Sequence, residues 1–200
     1  MVAYGYYYGS AFIAAGLAVA YFVGWPWAVP CYILAAFCLY FFRDPDRVPP
    51  EGRVAVAPAD GKVVAIKPHS PEATRVSIFL NIFDVHVNRT PIAGRVKEIR
   101  YQRGKFLVAS REEATSQNEQ NVMTVEGDGV TVVFSQIAGL IARRIECWKK
   151  VGDQVSLGER IGLIKFGSRM DILLGPEWEI AVRPGERVTA GSSVIARRRP

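Results

Sequence analysis

The chain has 200 residues, half of them hydrophobic, with 25 basic and 19 acidic side chains and a net charge of +6. That length and apolar content exclude a disordered or low-complexity protein and are enough for one domain with a proper core plus an additional segment. All of the charge lies from Arg43 onward. This fits work against an anionic surface, and the uncharged segment in front favours lipid headgroups over nucleic acid.

That uncharged arm splits at Gly24-Trp25-Pro26-Trp27 into apolar stretches over 6–23 and 28–42, the second with Pro30 near its start. Each reaches roughly 25 Å as a helix, near the hydrocarbon thickness and on the short side for a spanning helix. Tyr4, Tyr6, Tyr7 and Tyr8 fall at the level of Tyr40, Phe41 and Phe42, while Trp25 and Trp27 mark the other level. This is the belt pattern of a membrane helical hairpin, expected over 1–42. A secretory signal peptide would need a positive start, and the arm has no Lys or Arg. With both ends on one side, Arg43 and Arg47 place that side in the cytoplasm, at the cell membrane. A buried soluble hairpin is the alternative; so long an uncharged run would then need a large partner surface.

Residues 43–51 read as a proline-rich linker, since Pro45, Pro49 and Pro50 stop a helix and keep the chain extended. Residues 52–200 read as mainly β, a compact sandwich or barrel-like domain with few short helices. Short β-branched runs at 54–58, 62–66, 75–80 and 130–134 are bounded by Gly, Pro and Asp. The best helix candidate is 105–114. Near the end, Gly152-Asp-Gln-Val-Ser-Leu-Gly158 returns as Gly185-Glu-Arg-Val-Thr-Ala-Gly191. This predicts two similar sets of tight turns feeding short strands.

Gly167-Ser168 carries the candidate chemistry. A serine hydroxyl directly after glycine can attack the preceding carbonyl, because glycine has no side chain to block the approach. Most Gly-Ser pairs are ordinary turns. Only two histidines are available for proton transfer: His69, in a Lys-Pro-His-Ser-Pro setting that predicts an exposed turn, and His86, after an apolar strand. Asp60, in Pro58-Ala-Asp-Gly61, is either a turn corner or the residue that orients His86, which then takes the proton from Ser168. Cys31, Cys38 and Cys147 show neither metal-ligand nor disulfide spacing.

Seven landmarks in order make the chain resemble the phosphatidylserine decarboxylase family in its short, membrane-hairpin form. After Phe41-Phe-Arg-Asp-Pro45 they are Pro58-Ala-Asp-Gly61, Phe83-Asp-Val-His-Val-Asn-Arg89, Gly104-Lys-Phe, Asn118-Glu-Gln-Asn121, Gln136-Ile-Ala-Gly139, Ala142-Arg-Arg144 and Phe166-Gly-Ser168. The resemblance implies self-cleavage between Gly167 and Ser168 into a β chain, 1–167, and an α chain, 168–200, that form a heterodimer; a higher homo-oligomer is compatible with it. It implies a triad of Asp60, His86 and Ser168. Ser168 becomes a pyruvoyl group, the sole cofactor, with neither metal nor pyridoxal phosphate. The lipid's serine amine then condenses with that ketone as a Schiff base, and the conjugated carbonyl accepts the electrons left by the departing carboxylate.

The implied reaction converts a phosphatidylserine-type phospholipid to the ethanolamine lipid and carbon dioxide, with no nucleic acid involved. Diacyl and archaeal ether lipids share the headgroup and are not distinguished. Arg89, Arg169 and Asn118 are candidate substrate-binding residues, with Arg143 and Arg144 as further phosphate contacts. Two departures stand out: Arg89 occupies the place of a second histidine found in long forms, and Gln120 the place of a frequent arginine. Gly191-Ser192 is a competing cleavage pair, but too few residues follow it to anchor a new terminus in a sheet. The rival class is a membrane-tethered β-sandwich binding module of lipoyl or adaptor type. A conventional serine hydrolase lacks its Gly-x-Ser-x-Gly here.

Overall fold

The computed structural model describes residues 1–108, 113–139, 144–165 and 167–200. The chain divides into two compact units, Met1–Asp46 and Arg47–Pro200.

The first unit is a helical hairpin, α1 (Ala3–Phe22) and α2 (Trp25–Phe41). The break falls at Val23 and Gly24, as the composition predicts, but α2 begins at Trp25 instead of 28. Pro26 sits in the first turn, where its missing N–H has no intrahelical acceptor to lose. Buried glycines on α1 face α2 in antiparallel order, Gly5 near Phe42, Gly9 near Leu39 and Gly16 near Tyr32. The Val2 N–H donates to the Phe42 carbonyl at 3.0 Å and closes the open end. No helix among the described residues is long and apolar enough to cross a membrane.

The second unit is mainly β. Its strands run β1 (Val54–Val56), β2 (Gly61–Ser70), β3 (Ala73–Leu80), β4 (Val87–Arg89), β5 (Gly94–Gln102), β6 (Gln120–Gly127), β7 (Val130–Ile137) and β8 (Ile145–Cys147). They continue with β9 (Gln154–Val155), β10 (Arg160–Ile164), β11 (Ser168–Leu174), β12 (Trp178–Ile180), β13 (Arg187–Val188) and β14 (Val194–Arg198). An eight-stranded sheet has the order β13-β2-β3-β11-β7-β6-β5-β9, and two three-stranded sheets run β1-β14-β12 and β4-β10-β8. Every pairing is antiparallel.

The core lies on one face of the large sheet, where alternate residues Val76, Ile78 and Leu80 of β3 meet Met170, Ile172 and Leu174 of β11. The Gly152 and Gly185 repeats fold alike, a turn, a two-residue strand, and a second turn into a longer strand. Their second glycines, Gly158 and Gly191, have φ +71° and +73°, the left-handed region glycine favours, and a Cβ on Gly158 would lie 3.1 Å from Gly191 Cα. Gly191-Ser192 is therefore a turn packed against its repeat.

Two expectations change. The helix expected over 105–114 is absent from 105–108, where Lys105 bridges Asn118, and the helix described in this unit is the single turn α3 (Ala114–Gln117). Part of that expectation, 109–112, lies outside the described residues. His69 is exposed, but in β2 and not in a turn, because the strand continues to Ser70 before reversing. Pro68 is tolerated there because β13 pairs only with Lys62 and Gly61, leaving that part of β2 an edge.

Two predictions follow from this packing. A Cβ on Gly162 would lie 2.0 Å from the Glu146 carbonyl oxygen across the β8–β10 pair. Gly162→Ala is therefore expected to destabilise the protein by about 2–4 kcal/mol, read by urea unfolding. At the first repeat turn, hydrogen bonding from Lys149 holds the Glu159 carboxyl below its ordinary value, against the opposing effect of burial and with help from the Ser156 N–H. A carboxyl depressed in the fold stabilises above its unfolded value and loses that contribution as pH falls through its folded one. Glu159 is partly exposed, so Glu159→Gln should cost only ~0.5–1 kcal/mol at neutral pH, and the difference from the parent should vanish below the usual carboxylate range in a thermal melt series.

Candidate active site

The register of the large sheet collects the site at one end. Lys62 of β2 pairs with Phe79 of β3, and Phe79 pairs with Arg169 of β11. Asp60 and Gly61, Leu80, and Ser168 thus stand at the same end of three neighbouring strands. Ser168 opens β11 and pairs with Leu80 on one side only; pairing with β7 begins at Arg169. The connection from β3 to β4 lies against the connection from β10 to β11, because Val87 pairs with Leu163 and the Ile164 N–H donates to the His86 carbonyl at 3.4 Å. That places the backbone carrying His86 beside the segment that leads into Gly167-Ser168.

Gly167 has φ +54°, and a Cβ built there would meet nothing within 4 Å. The turn uses glycine for its conformation, not for space. Ser168 is fully buried, and among the described residues no group hydrogen-bonds its Oγ. A buried hydroxyl without a partner is uncommon and marks a place where a structural serine would be a poor choice. Lys165, two residues before Gly167, is buried with its Nζ 3.1 Å from Glu146 Oε1 and its N–H bonded to the Arg144 carbonyl, which fixes the approach to the turn. Phe166 of the predicted cleavage motif lies outside the described residues, as do Ala142 and Arg143.

His86 is fully buried, with Nδ1 2.9 Å from the Asp84 carbonyl oxygen. A carbonyl only accepts, so Nδ1 carries the hydrogen in this contact. The Asp84 side chain shapes this corner: Oδ2 accepts the Asn81 N–H at 2.9 Å, and Oδ1 pairs with Arg187. The Asp60 carboxylate accepts from the Ala190 N–H at 2.8 Å through Oδ1 and from Arg47 at 2.9 Å through Oδ2. Pro58-Ala-Asp-Gly61 therefore does more than turn the chain. It also ties the linker arginine and the second repeat to the end of the sheet that carries Ser168.

The other candidates are deep in the fold. Arg89 is buried and donates to the Gly158 carbonyl at 2.9 Å, while its N–H reaches the Pro58 carbonyl. Arg169 is only 1% exposed, with Nε 2.6 Å from Asp171 Oδ1 and Nη2 2.7 Å from Ser77 Oγ. Asn118 uses its amide on the Leu107 N–H, the Leu107 carbonyl and the Ala138 carbonyl. Arg144 is exposed, 3.9 Å from Glu146. Gln120 is buried beside Gln102.

Sequence reasoning missed Arg47, Ser77 and the Asp84 carbonyl, none of which has a motif of its own. Gln136 was read only as a landmark; it accepts from Asn121 at 3.0 Å and donates to Asn88 at 2.9 Å, joining three landmarks in one buried amide chain.

The family model for phosphatidylserine decarboxylase matches residues 34–196. A relative from Solibacter usitatus (strain Ellin6076), named phosphatidylserine decarboxylase proenzyme, is 65% identical over 99% of this chain and 97% of its own. Another of the same name, from Polynucleobacter asymbioticus (strain DSM 18221 / CIP 109841 / QLW-P1DMWA-1), is 44% identical over 90% of this chain and 87% of its own. The chain belongs to the phosphatidylserine decarboxylase family.

Proposed function

We propose that this chain is a phosphatidylserine decarboxylase that makes its own pyruvoyl group by cutting itself between Gly167 and Ser168. Identity of 65% over nearly the whole length to a relative named as the proenzyme carries the reading. The buried Ser168 hydroxyl after a left-handed glycine supports the position of the cut. A non-catalytic binding module has no comparable support.

In maturation, Ser168 Oγ attacks the Gly167 carbonyl carbon, and His86 takes the hydroxyl proton at Nε2. The peptide C–N bond breaks, leaving Gly167 esterified to the serine oxygen and the nitrogen of residue 168 as an amine. Loss of the Cα proton expels the Gly167 carboxylate. Water then replaces the nitrogen of residue 168, which departs as ammonia, and a ketone remains. Asp60, at the same end of the sheet, is the third member proposed from the family pattern.

Once formed, the pyruvoyl carbonyl supplies the electron sink for loss of the substrate carboxylate. The chain's own contribution in turnover is to hold that terminus at the end of β11 and to move protons at His86. With Arg89 where long forms have a second histidine, His86 is proposed to serve both stages. Arg89 and Arg169, bonded inside the fold, fit positioning better than direct contact with the lipid headgroup.

The helical hairpin is proposed to seat the enzyme at the cytoplasmic face of a membrane. Trp25 and Trp27 at its turn and Tyr21 and Phe22 beside them are exposed, which suits an interfacial belt. Lipid tails would stay in the bilayer while the headgroup enters the site. The product chains are expected to remain together as a heterodimer.

Intact mass spectrometry before and after borohydride tests the central claim. The expected result is two chains split at 167/168, the smaller lighter by one ammonia than a serine-initiated chain and shifted by the reagent. A single inert chain without serine-lipid decarboxylase activity would overturn it. Ser168→Ala should remain uncut, and His86→Ala should slow self-cleavage by about 10²–10⁴-fold, followed by gel densitometry.

A further inference from the structure

Arg169 is a positively charged residue in the interior of a β-sheet, and burying a guanidinium is unfavourable unless its donors are matched. Here they are. Its Nε bonds Asp171 Oδ1 two residues along the same face of β11, and its Nη2 bonds Ser77 Oγ on β3. Ser77 is the register partner of Asp171, and Arg75 Nε, on the same strand as Ser77, lies 3.8 Å from Asp171 Oδ2. Two small-chain side chains are thereby interlocked with two from the large chain, directly behind the proposed cut.

The timing of that interlock matters. Before cleavage, residue 168 is held from both directions, and the turn in front is pinned by the bonds of Ile164 to His86 and of Lys165 to Arg144. After cleavage the covalent link to Gly167 is gone and the nitrogen of residue 168 has left, so the terminus has no N–H to donate into the sheet. Arg169 is then the first intact residue. A strand end without its leading N–H is held less tightly than the same strand in the intact chain. A displacement near 1 Å at a reacting centre can cost about 100-fold in rate.

We propose that Arg169, bonded to Ser77, is a positioning residue that acts after self-cleavage, pinning the cut end of β11 to β3 so that the carbonyl of residue 168 stays in place during turnover. The proposal rests on the reading of a cut at 167/168. It differs from a headgroup role for Arg169 because its partners are inside the sheet.

Ser77→Ala is the cleaner test, since it removes one acceptor from the guanidinium and leaves Arg169 and Asp171 paired. Full-length protein would be followed for self-cleavage, titrated for pyruvoyl with borohydride, and assayed on phosphatidylserine in mixed micelles. The expected result is self-cleavage within about twofold of the parent, kcat per pyruvoyl lowered about fivefold or more, and KM within about twofold, with Ser77→Thr recovering kcat. Arg169→Lys, which keeps the charge and loses the fork, should show the same split. An unchanged kcat per pyruvoyl in Ser77→Ala would overturn the proposal, as would self-cleavage slowed in proportion to kcat. A parent protein that fails to cut itself would overturn the processing reading, and the role of Arg169 with it.

Discussion

A protein that breaks its own backbone inside its core must keep the severed ends where the intact chain put them. This constraint organises the second unit. β11, which begins at the proposed nucleophile, lies in the interior of the eight-stranded sheet, bonded to β3 on one side and β7 on the other. Downstream of it, β13 pairs with β2, and β14 pairs with β1. Residues 168–200 are thus threaded through the structure of residues 47–167 at three separate places. A segment that short has too little core to fold alone, so its order is borrowed from the larger part. The sheet is the device that makes the proposed cut harmless to the fold.

Buried amides provide the second level of order. Asn121 of β6, Gln136 of β7 and Asn88 of β4 form a continuous chain that joins the large sheet to the β4-β10-β8 sheet. Asn118 clamps the segment around Leu107 to Ala138 in the same way. An amide in such a setting costs about 1–3 kcal/mol when its partner is lost, which penalises any displacement of one sheet against the other. Because β4 immediately follows His86, this amide chain also anchors the backbone beside His86.

Much of this was legible in the residues, and the parts that were not have physical causes. Strand cores at 54–58, 62–66, 75–80 and 130–134 could be read from β-branched runs. Their extents could not, because β2 continues through Lys67-Pro68-His69, which has the composition of a turn. The Gly152 and Gly185 repeats were legible because turn glycines at fixed spacing leave few alternatives. The helix expected at 105–114 failed because Asn118 holds residue 107 through side-chain bonds that local propensity does not see. Gly167, Ser168, His86 and Asp60 could be named from order and type. The partners of Asp60 could not, since Arg47 is 13 residues away and Ala190 130 residues away in the chain. Arg169 could be named as a substrate-binding candidate, but its bonds to Asp171 and Ser77 inside the sheet could not be read from local sequence.

The way His86 is held bears on why one histidine can suffice. In a hydrolase triad a carboxylate accepts from the second ring nitrogen and stabilises the imidazolium as it forms. Here the acceptor at Nδ1 is the Asp84 carbonyl, which fixes the tautomer and the ring orientation. Self-processing happens once per molecule, so it tolerates a weaker base than repeated hydrolysis would require. On the proposed reading, one histidine serving both stages would rely on this fixed tautomer and ring orientation.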